Sequence, residues 1–335
     1  MNSYSPDLHG SSVLITGGAG FIGSNLARRI LDLGGSVTLV DSLIPQYGGN
    51  LANLEGFRKR LELHISDVRD PYAMDTLIQG HDLLFNLAGQ TSHLDSMQDP
   101  LTDLHINATA QLSILEAARK RNPGLHIVFA STRQIYGKPQ YLPVDEDHPI
   151  RPVDINGIHK VAGEEYHLLY HRVYGMSCSA LRLTNTYGPG MRVRDARQTF
   201  LGIWVKQILC GQPIKVFGDG TQLRDFNFVD DVVDAFLRAA LNPEAQGRVL
   251  NLGSPEVINL ADLARMMCEL EGSGTWELVP FPSNLKSIDI GDYYSDHSLS
   301  KKILEWEPVV GLREGLARTL DYYRNRGAHY WDTNQ

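Results

Sequence analysis

The segment Gly17-Gly18-Ala19-Gly20-Phe21-Ile22-Gly23 constrains this chain more than any other stretch, because of what flanks it. Before it runs the apolar Ser12 to Thr16; after it, Phe21 to Leu33 carries apolar residues at helical spacing. Strand, glycine turn and helix in that order leave few folds open. The glycines allow a tight turn and let backbone N–H groups at the helix N-terminus approach a pyrophosphate. Gly17, Gly20, Phe21, Ile22 and Gly23 are therefore candidate cofactor contacts. A second β-rich run, Ser36 to Val40, ends in Asp41, roughly 20 residues past the turn. A carboxylate there accepts hydrogen bonds from both adenosine ribose hydroxyls and repels a 2′-phosphate, which favours NAD over NADP.

Further strand-like runs follow at Leu61 to Ile65, Leu83 to Leu87 and Leu125 to Ala130, with helical patterns at Asp70 to Gln79 and Leu101 to Arg121. Strands alternating with helices predict an α/β fold, a Rossmann-type doubly wound parallel sheet. Asp67 and Val68, just past the third strand, are candidates for the adenine edge; for Asp67 a helix cap reaching toward Arg69 and Asp70 is the alternative. Asn86-Leu87-Ala88-Gly89 closes the fourth strand with small residues, which suits a backbone running close to a cofactor at the carboxyl ends of the strands. Asn156 to Tyr174 reads as a helix stopped by Gly175, and Ser177 to Leu183 as a strand. Beyond Asn185 the rhythm breaks at Gly188, Pro189 and Gly190, and helical patterns resume at Thr199 to Cys210, Val229 to Leu241, Asn259 to Glu271 and Leu312 to Tyr323. The expected organisation is a cofactor domain over 1–183, to which 227–250 returns, with a smaller interleaved α/β substrate lobe over 184–226 and 251–335.

Composition excludes other classes. With 31 Lys plus Arg against 39 Asp plus Glu among 335 residues, the net charge of −8 argues against a nucleic-acid binder. Cys178, Cys210 and Cys268 are scattered, which suggests neither a disulfide framework nor zinc. His167 and His171 lie at i and i+4 behind Glu164 and Glu165, but no third ligand converges, so no metal is expected. Met1 to Gly10 lacks the build of a secretory signal, and no apolar run reaches the roughly 18 residues that span a bilayer. A cytoplasmic protein without membrane contact is the expectation.

Six ordered segments are similar to the extended short-chain dehydrogenase/reductase family, the NAD-dependent epimerases and dehydratases of nucleotide sugars. They are GGAGFIG at 17 to 23, STRQIYG at 131 to 137, GIHKVAGE at 157 to 164, LRLTNTYGPG at 181 to 190, RDFNFVDDVVDA at 224 to 235, and LEWEP at 304 to 308. In that family a Tyr takes a proton from a sugar hydroxyl while the nicotinamide takes a hydride. A Lys four residues later holds the nicotinamide ribose and lowers the Tyr pKa. The Lys here is Lys160, and Asn156 stands where the Tyr is expected. An amide cannot act as general base, so another group must. Lys160 itself, His159 and His93 are the candidates, with His159 turned about 100° away on the helix; Tyr136 lies nearby and by resemblance packs beside the glycine turn.

The resemblance assigns Thr132 to the reacting hydroxyl. Arg133 and Gln134 occupy the places of the Asp and Glu of the 4,6-dehydratases, which disfavours dehydration and leaves a guanidinium to grip a carboxylate or another polar sugar substituent. Asn185 and Arg224 match residues that contact the substrate diphosphate, Val216 with Phe217 and Gly218 the segment packing the base and ribose, and Lys286 a phosphate-binding arginine. A homodimer paired through the helices at 101–121 and 156–174 is implied as well. The activity implied is C4 epimerisation of a nucleotide-diphosphate sugar through a transient 4-keto sugar. The alternatives are a C4 dehydrogenase releasing that ketone and a non-catalytic binder of nucleotide sugar and NAD.

Overall fold

The computed structural model describes residues 5–197, 199–286 and 288–331, apart from the side chains at 284 and 285. Its main sheet contains β1 (Ser12–Thr16), β2 (Ser36–Asp41), β3 (Glu62–Ile65), β4 (Leu83–Asn86), β5 (His126–Thr132) and β6 (Cys178–Leu183). Then come β7 (Asn185–Tyr187), β8 (Ile214–Phe217), β9 (Leu223–Phe228), β10 (Val249–Leu252), β11 (Val257–Asn259) and β12 (Trp276–Val279). β10 returns to the main sheet, whose seven strands run in the order β10-β6-β5-β4-β1-β2-β3, every pairing parallel. Strand order reverses between β1 and β4, so a crevice opens at their carboxyl ends.

The helices are α1 (Phe21–Asp32), α2 (Pro71–Leu77), α3 (His93–Gln98), α4 (Pro100–Leu104), α5 (Ala110–Arg121) and α6 (Ile155–Tyr174). They continue as α7 (Phe200–Leu209), α8 (Val229–Leu241), α9 (Leu260–Glu271), α10 (Ser283–Lys286), α11 (Ser298–Leu304) and α12 (Leu312–Arg326). Side chains alternate across a strand, so neighbours in β1 serve opposite cores. Val13 and Ile15 pack with Leu26 and Ile30 of α1 and Val232 and Phe236 of α8. Leu14 packs on the other face with Met74 of α2, Ile114 and Leu115 of α5 and Tyr170 of α6. Burial on both faces explains why these strands read as continuous apolar runs.

The second lobe holds two small sheets, β11-β9-β7 and the parallel pair β12-β8. α12 is in contact with α7, α9 and β9, which closes this lobe on itself. The helix expected over Leu101 to Arg121 is interrupted: α4 and α5 are joined by a π-helical turn, His105–Thr109. Its Asn107 Nδ2 donates to Gln90 O at 2.9 Å, tying the turn to the loop after β4. α6 starts at an Asp154 cap, whose Oδ1 accepts from Gly157 N at 2.7 Å, and ends at Gly175 in the left-handed conformation, φ 67°.

A buried polar network braces α6 against the sheet. Glu164 on α6 accepts from Ser131 Oγ on β5 at 2.5 Å and forms a two-pronged pair with Arg182 on β6, at 2.5 and 3.1 Å. Arg182 Nη1 donates to the Tyr136 hydroxyl at 2.6 Å, and that hydroxyl donates to Asn251 Oδ1 on β10 at 2.7 Å. Ser131 as donor to the carboxylate and Tyr136 as acceptor from the guanidinium complete the bonding of the ion pair, as a buried pair requires. No helix among the described residues is long and apolar enough to cross a membrane.

Candidate active site

A cavity of about 910 Å³ opens at the switch point and extends to the second lobe. Its cofactor side is built largely from backbone. Gly17 takes φ +68°, and a Cβ on it would lie 3.1 Å from the Ala88 backbone. A Cβ on Gly23 would run into Gly17 O, so the turn closes only around glycine. Gly17, Gly20, Phe21, Ile22 and Gly23 all line the cavity. So do Leu87, Ala88 and Gly89, where Thr16 Oγ1 accepts from Leu87 N and Ala88 N, both at 3.1 Å. Asp41 lines it too, its carboxylate pinned by Ala19 N at 3.0 Å and Leu43 N at 2.8 Å, while burial raises its pKa. Asp67 and Val68 line the same wall; Arg69 grips Asp67 at 2.6 Å and holds its carboxyl below the ordinary range. The cap of α2 is Asp70, not Asp67. A glycine cradle of this shape with a pinned acidic residue fits a dinucleotide.

Thr132, Asn156 and Lys160 line the same cavity. Lys160 Nζ donates to Ala130 O at 3.1 Å and lies 4.9 Å above the Phe129 ring; burial pulls its pKa down to about 8. A Cβ on Gly89 would sit 3.0 Å from both Nζ and Asn107 Oδ1, which places the ammonium against the end of β4. Thr132 Oγ1 accepts from Gln134 N at 3.2 Å. Asn156 is 2 % exposed and firmly oriented. Its Nδ2 donates to Gln90 O at 2.7 Å and to Asp103 Oδ2 at 3.0 Å. Both partners are pure acceptors, so the amide cannot be flipped, and Oδ1 is the atom it can offer to a ligand. His159 contacts the other oxygen of Asp103 at 2.7 Å and does not line the cavity.

His93 lines the cavity at the start of α3, with Nδ1 2.9 Å from Asp154 Oδ2. Burial acts to raise the Asp154 pKa, but the His93 contact and the bonds from Gly157 N and Gln134 hold it below the ordinary value. Tyr136 is fully buried in the Arg182 and Asn251 network and pushed up to about 12 by burial, so it is closed to substrate.

Arg133 and Gln134 face the cavity with Asn185 and Arg224. Arg133 Nη2 donates to Asn185 Oδ1 at 3.1 Å, its guanidinium stacks 4.9 Å from the Tyr293 ring, and burial lowers its pKa. Its Nη1 is buried without a hydrogen-bond partner. Arg224 is held by the Leu223 and Gly291 carbonyls at 2.8 and 2.5 Å, and burial together with the nearby Arg133 charge brings it down to about 10. Two guanidiniums side by side in a buried wall suit an anionic ligand.

Two expected contacts lie elsewhere. Val216 points into the core, 0 % exposed, because β8 alternates; its neighbours Lys215 and Phe217 line the cavity instead. Lys286, on α10, is exposed and lies outside the cavity wall. His167 is buried, bonded to Gly163 O at 2.7 Å and stacked on Phe129, and among the described residues no group of acids, histidines or cysteines is placed to hold a metal. Asp103, Asp154 and Gln90 escaped the sequence reading; a Pro-Val-Asp stretch before a helix marks Asp154 as a cap, but nothing local joins it to His93.

Residues 13–253 match the NAD dependent epimerase/dehydratase family. The chain is 32% identical over 317 residues to a UDP-glucose 4-epimerase of Mycolicibacterium smegmatis, covering 93% of this chain and 98% of the relative. A UDP-glucose 4-epimerase of Thermotoga maritima, solved with UDP-glucose, superposes with a TM-score of 0.85 at 30% identity, over 94% of this chain and 99% of that one. A UDP-glucuronic acid 4-epimerase of Bacillus cereus, solved with UDP-glucuronic acid and NAD, gives 0.84 at 27% identity, over 94% and 99%. The chain belongs to the NAD-dependent epimerase/dehydratase family.

Proposed function

We propose that the chain is an NAD-dependent epimerase that inverts C4 of a sugar carried on a nucleoside diphosphate, through a transient 4-keto sugar. One observation carries the reading. A single cavity is lined by the glycine turn with Asp41, by Thr132, Asn156 and Lys160, and by Arg133, Asn185 and Arg224. NAD, held by the glycine turn, Asp41 and Lys160, would supply the redox chemistry, as acceptor and then donor of the hydride at the sugar carbon. Lys160 anchors the nicotinamide ribose, its position set by Ala130 O. Thr132 orients the reacting hydroxyl, and Asn156 accepts a hydrogen bond through Oδ1. Asn185 and Arg224 bind the diphosphate, while the orphan Nη1 of Arg133 meets a polar or anionic sugar substituent. A second copy of the chain pairs through α5 and α6, whose exposed Leu112, Ile158 and Val173 give that face an apolar character.

The test is proton NMR of the purified protein with NAD and a panel of nucleotide sugars, led by uridine diphosphate sugars as the relatives' names suggest. A new diastereomer without net NADH is the expected result. Net NADH with a released ketone would identify a dehydrogenase instead. A raised melting temperature with no conversion of any sugar would identify a binding protein.

A further inference from the structure

An epimerase that works through a ketone must remove a proton from the sugar hydroxyl, and Asn156 has no group that titrates near neutral pH. We propose that His93, oriented by Asp154, is the proton acceptor of this site. The inference rests on the function proposed above and deepens it. Among the residues lining the cavity, the other acids are occupied: Asp41 by two backbone N–H groups, Asp67 by Arg69, Asp95 by Arg197 at 3.3 Å, and Asp289 by Gln222 Nε2 at 2.9 Å. Lys160 Nζ is bonded to Ala130 O and set against Gly89 just past β4, which turns it toward the cofactor wall of the cavity.

His93 has what a base needs. Its side chain is 38% exposed, whereas the Asp154 side chain behind it is fully buried. The Asp154 carboxylate lies 2.9 Å from Nδ1, close enough to orient the ring although Nδ1 makes no formed hydrogen bond there; catalytic contacts of this kind tighten when substrate binds. An aspartate on Nδ1 selects the tautomer with a free lone pair on Nε2 and stabilises the imidazolium that forms. Asp154 is thus a positioning residue. The same carboxylate accepts from Gln134 Nε2 at 3.0 Å, and Gln134 N donates to Thr132 Oγ1 at 3.2 Å. One close contact and two hydrogen bonds therefore connect the base to the group that orients the hydroxyl. Asp154 also caps α6 two residues before Asn156, so the carboxylate that His93 touches starts the helix that carries the amide. The other charged groups lining the cavity close in sequence or bonding to this chain are Lys160, Arg133 and the Asp95 and Arg197 pair.

The step balances. The sugar O–H bond breaks and its proton goes to Nε2. The C–H bond breaks and its electron pair leaves with the hydrogen as hydride to oxidised NAD, forming the C=O bond. On return both transfers reverse, with the hydride arriving at the opposite face, so nothing is consumed.

His93→Gln and His93→Ala are compared with the full-length wild type, together with Asp154→Asn, which keeps an acceptor for Gly157 N but turns a donor toward His93. We expect kcat to fall about 100- to 10,000-fold in each, with calorimetric affinities for NAD and nucleotide sugar unchanged. Added imidazole restores turnover to His93→Ala, and the acidic limb of the wild-type kcat profile disappears in His93→Gln. Nitrogen NMR of the histidine rings in the protein alone should show His93 protonated on Nδ1 in wild type and on Nε2 in Asp154→Asn. Full turnover by His93→Gln with the acidic limb retained would overturn the assignment, as would an Nε2-protonated neutral ring in wild type. A wild type that converts no sugar at all would instead bring down the function on which the assignment rests.

Discussion

The two sides of the cavity are built on different principles. The cofactor side is a backbone structure: the glycine turn, the carbonyls and N–H groups after β4, and one acid pinned by its own loop. The proposed sugar side is a lattice of side chains drawn from α3, β5, α6, β7 and β9, with the close contact of His93 with Asp154 and the bond from Arg133 to Asn185 among its links. A backbone site tolerates little substitution but has one local recipe. A side-chain lattice can be retuned one residue at a time.

That contrast predicts a ranking of effects. Lys160 belongs to both sides, so Lys160→Ala should cost the most, on the order of 1,000- to 10,000-fold in kcat by steady-state kinetics, since no other cation can replace it. Gly23→Ala forces a Cβ against Gly17 O and should weaken NAD by about 1–3 kcal/mol in calorimetry, with nucleotide-sugar affinity retained. Arg133→Leu should show the reverse, a loss of about 1.5–3 kcal/mol in nucleotide-sugar binding with NAD affinity retained. If either variant weakened both ligands equally, the division into two sides would be wrong. Lys286→Ala, outside the cavity, should change nucleotide-sugar affinity by less than about 0.5 kcal/mol; a larger loss would extend the sugar side onto α10.

The same division explains what the sequence could disclose. The turn at Gly17 and the acid at Asp41 were legible because strand, glycines and helix are contiguous and their geometry is local. Thr132, Asn185 and Arg224 were found through resemblance, and all three line the cavity. Val216 was misplaced by one position, because a strand presents every second residue and the motif does not say which. The tie between His93 and Asp154 and the clamp of Asp103 on Asn156 depend on how α3, α4 and α6 come together. The π turn at 105–109, which sets that meeting, leaves no pattern in an apolar periodicity.

The brace through Glu164, Arg182, Tyr136 and Asn251 has a consequence for how the molecule is made. It ties β5 and α6, which carry Thr132 and Lys160, to a strand made much later in the chain, and Tyr136 and Asn251 are 115 residues apart. Until β10 has left the ribosome, Tyr136 lacks its acceptor and the edge of the sheet at β6 stays open. Such a long-range closure is slow to form and exposes an unpaired strand meanwhile. The platform that carries Thr132 and Lys160 is therefore completed late in synthesis, although nearly all of it is encoded early.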